Sequence, residues 1–240
     1  MLEVKNLKKR FGDFEAVKGI SFSVKKGEVL GFLGPNGAGK STTMRMITGF
    51  LPPTSGTAVI DGHDIALEPV AAKAAIGYLP ESAPSYRAMV VEDYLTFIAE
   101  IRGFTGAAVR DAVARVIEKA RLAPVARKTI ETLSKGYRQR TCFAQAIIHD
   151  PKVLIMDEPT DGLDPNQKFT VREMIKEMAA EKAIVISTHI LEEVDAVCTR
   201  AIVIADGEIK ADGTPAQLKA MDPSGRLDVV FRNLTKGGAQ

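Results

Sequence analysis

Eight consecutive residues, Gly34-Pro35-Asn36-Gly37-Ala38-Gly39-Lys40-Ser41, fit the pattern G-x-x-x-x-G-K-[ST]. Such a loop captures phosphate. Its glycines let successive backbone N–H groups turn inward, the helix that follows adds a partial positive charge, and Lys40 adds a full one. Ser41 stands where a hydroxyl ligates the Mg2+ that bridges the outer phosphates of a nucleotide, and Thr42 follows it into the same helical turn. A second constellation, Val153-Leu154-Ile155-Met156-Asp157-Glu158, is an apolar run ending in two adjacent carboxylates, with Pro159 as its stop. Successive strand residues project differently, so Asp157 can meet the metal while Glu158 meets a water. Together these motifs describe a P-loop nucleoside triphosphatase. The Asn/Thr-Lys-x-Asp guanine reader of a GTPase is absent from the sequence.

The loop works only between a buried strand and a helix, and the surrounding sequence supplies both. Val29-Leu30-Gly31-Phe32-Leu33 is a continuous apolar run, as expected of a strand buried on both faces, and residues 41–48 have a helical pattern closed by Gly49 and Pro52-Pro53. Before them, Ile20, Phe22 and Val24 alternate with Ser21, Ser23 and Lys25, the mark of a half-exposed sheet, and residues 57–61 return as a strand. From about 91 to 149 the apolar spacing becomes three and four, so a helical subdomain is expected there. Buried strands and helices then alternate: 153–156, a helix from Pro165 capped by Asp164, 183–186, and a helix near Leu191. Asp206-Gly207 punctuates a hairpin of 202–205 with 208–211, and Thr214, Pro215 and Gln217 begin a further helix. The expected fold is α/β: a P-loop NTPase core with a mixed sheet, an N-terminal antiparallel β subdomain and a helical subdomain, all in one domain spanning 1–240.

Composition narrows the partners. With 45% apolar and 26% charged residues the chain buries a full core, which excludes disorder, and a formal charge of +2 gives no broad footprint for nucleic acid. The longest uncharged run, 46–60, is broken by Gly49, Pro52, Pro53 and Gly56, whereas a membrane span needs about 20 apolar residues. Residues 1–5 lack a signal-peptide core, and Cys142 and Cys198 have no metal-type spacing, so a reducing cytosol and two inert, packed thiols are expected.

The motifs then become specific. Leu133-Ser134-Lys135-Gly136-Tyr137-Arg138-Gln139 resembles the L-S-G-G-Q signature of ATP-binding cassette (ABC) transporter nucleotide-binding domains, departing from it at Lys135 and Tyr137. The resemblance covers nearly the whole chain and implies ATP and Mg2+ as ligands. It assigns Ser134 and Gly136 to the γ-phosphate of a nucleotide held by an opposite subunit. By the same resemblance Phe11 stacks on adenine and Asp161-Gly162-Leu163-Asp164 crosses the dimer interface, with Asp164 counted among the nucleotide-facing residues. His189 is the switch histidine touching the γ-phosphate, and Tyr78-Leu79-Pro80-Glu81 is the loop between core and helical subdomain, its metal-facing glutamine replaced by Glu81. Glu158 and His189 would thus be catalytic, and Ser41, Glu81 and Asp157 would face the metal. The implied protein is the ATPase subunit of an exporter-type transporter. It would pair with a second copy or a paralogous cassette in an ATP sandwich and drive a separate membrane permease from the inner face of the cell membrane. The alternatives are a soluble ABC ATPase with a non-membrane partner and a nucleotide switch without turnover. The first would carry a heptad insertion or a second cassette, and the second is disfavoured by Glu158 and His189.

Overall fold

The computed structural model describes residues 1–82 and 85–235; residues 83, 84 and 236–240, part of the span expected as one domain, lie outside the described residues. Strands β1 (Leu2–Phe11) and β2 (Phe14–Val24) form an antiparallel hairpin closed by the Phe11–Phe14 pair. Following β3 (Val29–Leu33) and α1 (Lys40–Ile47), β4 (Ser55–Ile60) and β5 (His63–Asp64) complete a four-stranded sheet in the order β2-β1-β4-β5. The alternation read in the sequence is the alternation observed: Ile20, Phe22 and Val24 are buried, and Ser21 and Ser23 are exposed.

After α2 (Pro69–Ala74), β6 (Ile76–Leu79) enters a second sheet. Between β6 and β7 (Val153–Asp157) lie α3 (Val91–Ile101), α4 (Ala107–Lys119), two single 3₁₀ turns and α5 (Lys135–Ile147). The chain continues through α6 (Pro165–Ala179), β8 (Ala183–Thr188), α7 (Leu191–Val197), β9 (Arg200–Ala205), β10 (Glu208–Gly213), α8 (Pro215–Lys219) and α9 (Leu227–Thr235). The second sheet runs β10-β9-β3-β8-β7-β6; its four pairings from β9 to β6 are parallel, and only the outer β10 returns antiparallel, against β9.

The continuous apolar strands are explained by layers on both faces. In β7, Val153 and Ile155 point into a core shared with the first sheet and α1, whereas Leu154 and Met156 point into a core shared with α3 to α6. In β8, Ala183 and Val185 take the first side, and Ile184 and Ile186 the second. Each fully buried aliphatic side chain contributes roughly 1.5–3 kcal/mol. The helical segment therefore shares its core with one face of the sheet. Both thiols pack as expected: Cys142 is buried, Cys198 is half-buried, and burial pushes each up to about 12.

Parallel pairing carries three chain turns to one edge. Leu33 is in register with Thr188, and Asp157 with Ser187, so the segments following β3, β8 and β7 emerge side by side at the carboxyl ends of their strands. In open α/β sheets that edge is where ligands bind.

Candidate functional site

The loop 34–39 passes from β3 into α1 under tight steric control. Gly39, the N-cap of α1, has φ +102°, and a Cβ there would lie 2.6 Å from the Ala16 carbonyl oxygen of β2. A Cβ on Gly34 would collide with the Ile204 carbonyl of β9. Because Gly39 has no side chain, α1 begins without a side-chain cap, and its first turn carries no acidic residue. Its leading N–H groups and their partial positive charge suit an anion. Lys40 is only 6% exposed; its Nζ donates to Gly34 O at 2.8 Å and Pro35 O at 3.2 Å and stands 3.6 Å from Glu158 Oε1. The loop holds its own cation at its mouth.

Beside it lie the two carboxylates. Asp157 Oδ1 accepts from Ser41 Oγ at 3.2 Å and from Ser187 Oγ. Glu158, buried with φ +49°, donates its N–H to Ser187 O at 3.1 Å, and its Oε2 is 2.9 Å from His189 Nδ1. A non-glycine residue in the left-handed region is costly, and its surroundings hold it there so that its side chain faces Lys40 and His189. The two carboxylates do divide their tasks, but not by strand alternation: β7 ends at Asp157, which turns to Ser41, and the left-handed backbone of Glu158, one residue beyond the strand, turns its side chain to the cleft.

The cleft, of about 670 Å³, is lined by Phe11, Asn36, Gly37, Gly39, Lys40, Ser41, Thr42, Glu81, Glu158 and His189, all expected from the sequence. Gly34 and Pro35 contribute as acceptors for Lys40, Ala38 is buried beneath the loop, and Asp157 stands behind Ser41. Phe14 and Asp161 also line the cleft and were not anticipated, nor was Ser187 as the hydroxyl that orients Asp157. Phe14 is 64% exposed opposite Phe11, so the signal was a pair of aromatics flanking a Gly-Asp turn. For Ser187 it was a serine and threonine ending an otherwise apolar strand. Lys9 Nζ sits 5.1 Å from the Phe11 ring centroid, leaving a half-exposed aromatic at the cleft rim.

Three expected residues do not join this cleft. Ser134 is the N-cap of α5, accepting from Tyr137 N at 3.4 Å, and Gly136 packs against Gln167 of α6. Asp164 caps α6 by accepting from Asn166 N and Gln167 N at 2.9 and 3.0 Å. Both bonds go to its Oδ1, and the acidic group of that turn that lines the cleft is Asp161.

Comparison with known proteins decides the family. The sequence model of the ABC transporter family matches residues 17–161. The chain belongs to the ABC transporter family. This ABC cassette is 41% identical over 219 residues to the linearmycin resistance ATP-binding protein LnrL of Bacillus subtilis, covering 91% of the chain and 70% of LnrL. It is 37% identical to the Nod factor export ATP-binding protein I of Burkholderia orbicola, covering 90% of the chain and 72% of that protein. A solved ATP-binding subunit of an ABC transporter superposes with a TM-score of 0.86 at 29% identity, covering 98% of the cassette and 99% of that chain. The cassette is an ATP-binding ATPase with the expected P-loop fold.

The residues present fit a hard divalent cation. Among the described residues no cluster of three His, Cys, Asp or Glu forms a protein-only metal cage. Ser41, Asp157 and Glu81 instead offer oxygen atoms around the phosphate loop, as expected for magnesium, which is shared between one or two carboxylates and substrate phosphates.

Proposed function

We propose that the cassette, one nucleotide-binding domain over 1–240 with a helical subdomain near 91–149, works as one half of an ATP sandwich. Its partner would be a second copy or a paralogous cassette, and together they would drive a separately encoded, exporter-type membrane permease. The observation carrying this reading is the division just described. Lys40, Ser41, Glu158 and His189 share one cleft, while Ser134 and Gly136 present a helix N-terminus elsewhere on the same chain. A nucleotide held by the first set needs the second from another molecule.

In this reading the loop amides and Lys40 bind the β- and γ-phosphates, and Phe11 and Phe14 hold the base. Bound magnesium, held by Ser41, Asp157 and Glu81, would neutralise charge on the outer phosphates. Glu158 accepts a proton from the attacking water, and His189 orients its carboxylate through Nδ1. No helix among the described residues is long and apolar enough to cross a membrane. In this reading the cassette sits at the inner face of the cell membrane through its permease. A groove of about 780 Å³ shares Phe11 and Thr42 with the cleft and carries Phe50, Tyr78 and Arg102. It spans α1 and the helical segment, and we place the permease contact there. The name of the Nod factor export relative supports export. The +2 charge supports no nucleic-acid partner.

Mixing tests the sandwich. Lys40→Ala and Ser134→Arg are each expected to be inactive alone. Their heterodimer gathers both lesions into one composite site and leaves the other whole. Recovered turnover on mixing supports action in trans; no recovery with heterodimer formation demonstrated overturns it.

Glu81 offers a full negative charge where the family pattern offers a neutral amide oxygen. Two unit charges about 4 Å apart interact by roughly 4 kcal/mol at an effective dielectric of 20. Glu81→Gln is therefore expected to raise the magnesium concentration for half-maximal ATPase activity while ATP binding persists. An unchanged requirement at saturating ATP and constant ionic strength would show that Glu81 does not face the metal.

A further inference from the structure

Lys135 occupies the third position of the signature, where the family pattern has glycine, and a long cation there needs a place to go. Its Nζ lies 3.7 Å from Asp161 Oδ2 and so close over Gly162 that a Cβ on that glycine would collide with it. Asp161 lines the phosphate cleft of the same chain and belongs to the turn that starts at Glu158, whose carbonyl accepts from Asp161 N at 3.2 Å. The two charged side chains are each about half exposed, 54% and 48%. An ion pair of that exposure and separation is weak and screened by salt. A terminal phosphate enclosed between two protein surfaces is a stronger acceptor, because it carries more charge and has lost its water. Ser134 and Gly136 flank Lys135 on the first turn of α5, so any surface that seats on them must also meet Lys135.

We propose that Lys135 is an exchangeable phosphate ligand. In the separate chain it is paired with Asp161; in the ATP sandwich it leaves that carboxylate for the terminal phosphate of the nucleotide held by the second cassette. Asp161 is then its competitor and sets how much ATP is needed to close the pair. This rests on the sandwich reading above. The competing view is a permanent brace, in which Lys135 simply holds the 158–164 turn, much as Gln139 does by donating Nε2 to Pro159 O at 3.2 Å.

The two views predict opposite signs. In a Glu158→Gln background, dimer formation is followed by light scattering against Mg-ATP concentration. Adding Lys135→Ala is expected to raise the ATP needed for half-maximal dimer about tenfold, the effect of one lost charge-assisted hydrogen bond. Adding Asp161→Asn is expected to lower it, because the lysine is released in advance. With Lys135→Ala already present, Asp161→Asn is expected to have no further effect, which separates competition for the lysine from any influence of Asp161 on its own cleft. Shifts of the same sign for both single changes indicate the brace and overturn the proposal, as does an undiminished effect of Asp161→Asn without the lysine. An unshifted midpoint in Lys135→Ala overturns it while leaving the sandwich standing. If Glu158→Gln forms no dimer at saturating Mg-ATP, both readings fall together.

Discussion

Replacing Lys40 with alanine is expected to abolish ATP turnover and to weaken ATP binding by about 10- to 100-fold, the range for losing one hydrogen bond between charged groups. The side chain is buried, and its Nζ is held by two loop carbonyls at 2.8 and 3.2 Å, so the charge is fixed at the loop mouth before any nucleotide arrives. Little reorganisation is then needed when phosphate replaces part of that coordination, which is what makes a fixed charge effective. Alanine removes the cation and leaves Glu158 facing the phosphates with its nearest positive partner gone. Both effects act against a polyanion. Lys40→Arg is not a conservative repair, since a planar guanidinium cannot occupy a pocket shaped around a point charge at these distances. Calorimetric titration with ATP and steady-state phosphate release measure the two losses. Undiminished hydrolysis by a variant with a normal melting transition would remove Lys40 from the site.

The phosphate loop was legible because everything it needs is local: the glycines, the lysine and the start of α1 lie within eight residues. Caps were legible for the same reason. Asp164 accepts from two backbone amides, and Thr214 and Gln217 form a reciprocal capping box. Continuous apolar runs correctly announced strands covered on both faces. What the sequence could not express was register. Ser187 reaches Asp157 only because β7 and β8 pair with those residues opposite one another, a contact across 30 positions. Lys135 meets Asp161 for a similar reason, since α5 and the turn after β7 are brought together only by the finished core. The three- and four-residue spacing of 91–149 marked the helices and their buried faces, but not that those faces would share a core with Leu154 and Met156. Asp164 illustrates a different loss. One carboxylate was read both as a helix cap and as a nucleotide-facing group; its Oδ1 caps α6, and the residue does not line the cleft of its own chain.

Replacing Glu158 with glutamine is expected to slow hydrolysis by about 10²- to 10⁴-fold, the usual worth of a general base, while ATP binding is retained. Glutamine preserves the volume of a side chain that is only 8% exposed and keeps an oxygen able to accept a hydrogen bond from His189. The backbone at φ +49° is held by the Ser187 carbonyl and hydroxyl, both of which bond the residue 158 N–H, so its orientation does not depend on the carboxylate. What disappears is the lone pair basic enough to take a proton from water. Charge favours retained binding as well. Removing an anion 3.6 Å from Lys40 Nζ takes away a competitor of the phosphates for that cation, so affinity for ATP should not fall. Blocked hydrolysis with intact binding is the condition under which a sandwich accumulates. The variant is accordingly expected to elute as a dimer on size exclusion in Mg-ATP and as a monomer without nucleotide. Turnover within tenfold of the unsubstituted protein would exclude Glu158 as the base. A monomer under saturating Mg-ATP, despite measured binding, would leave the base assignment intact and count against the sandwich alone.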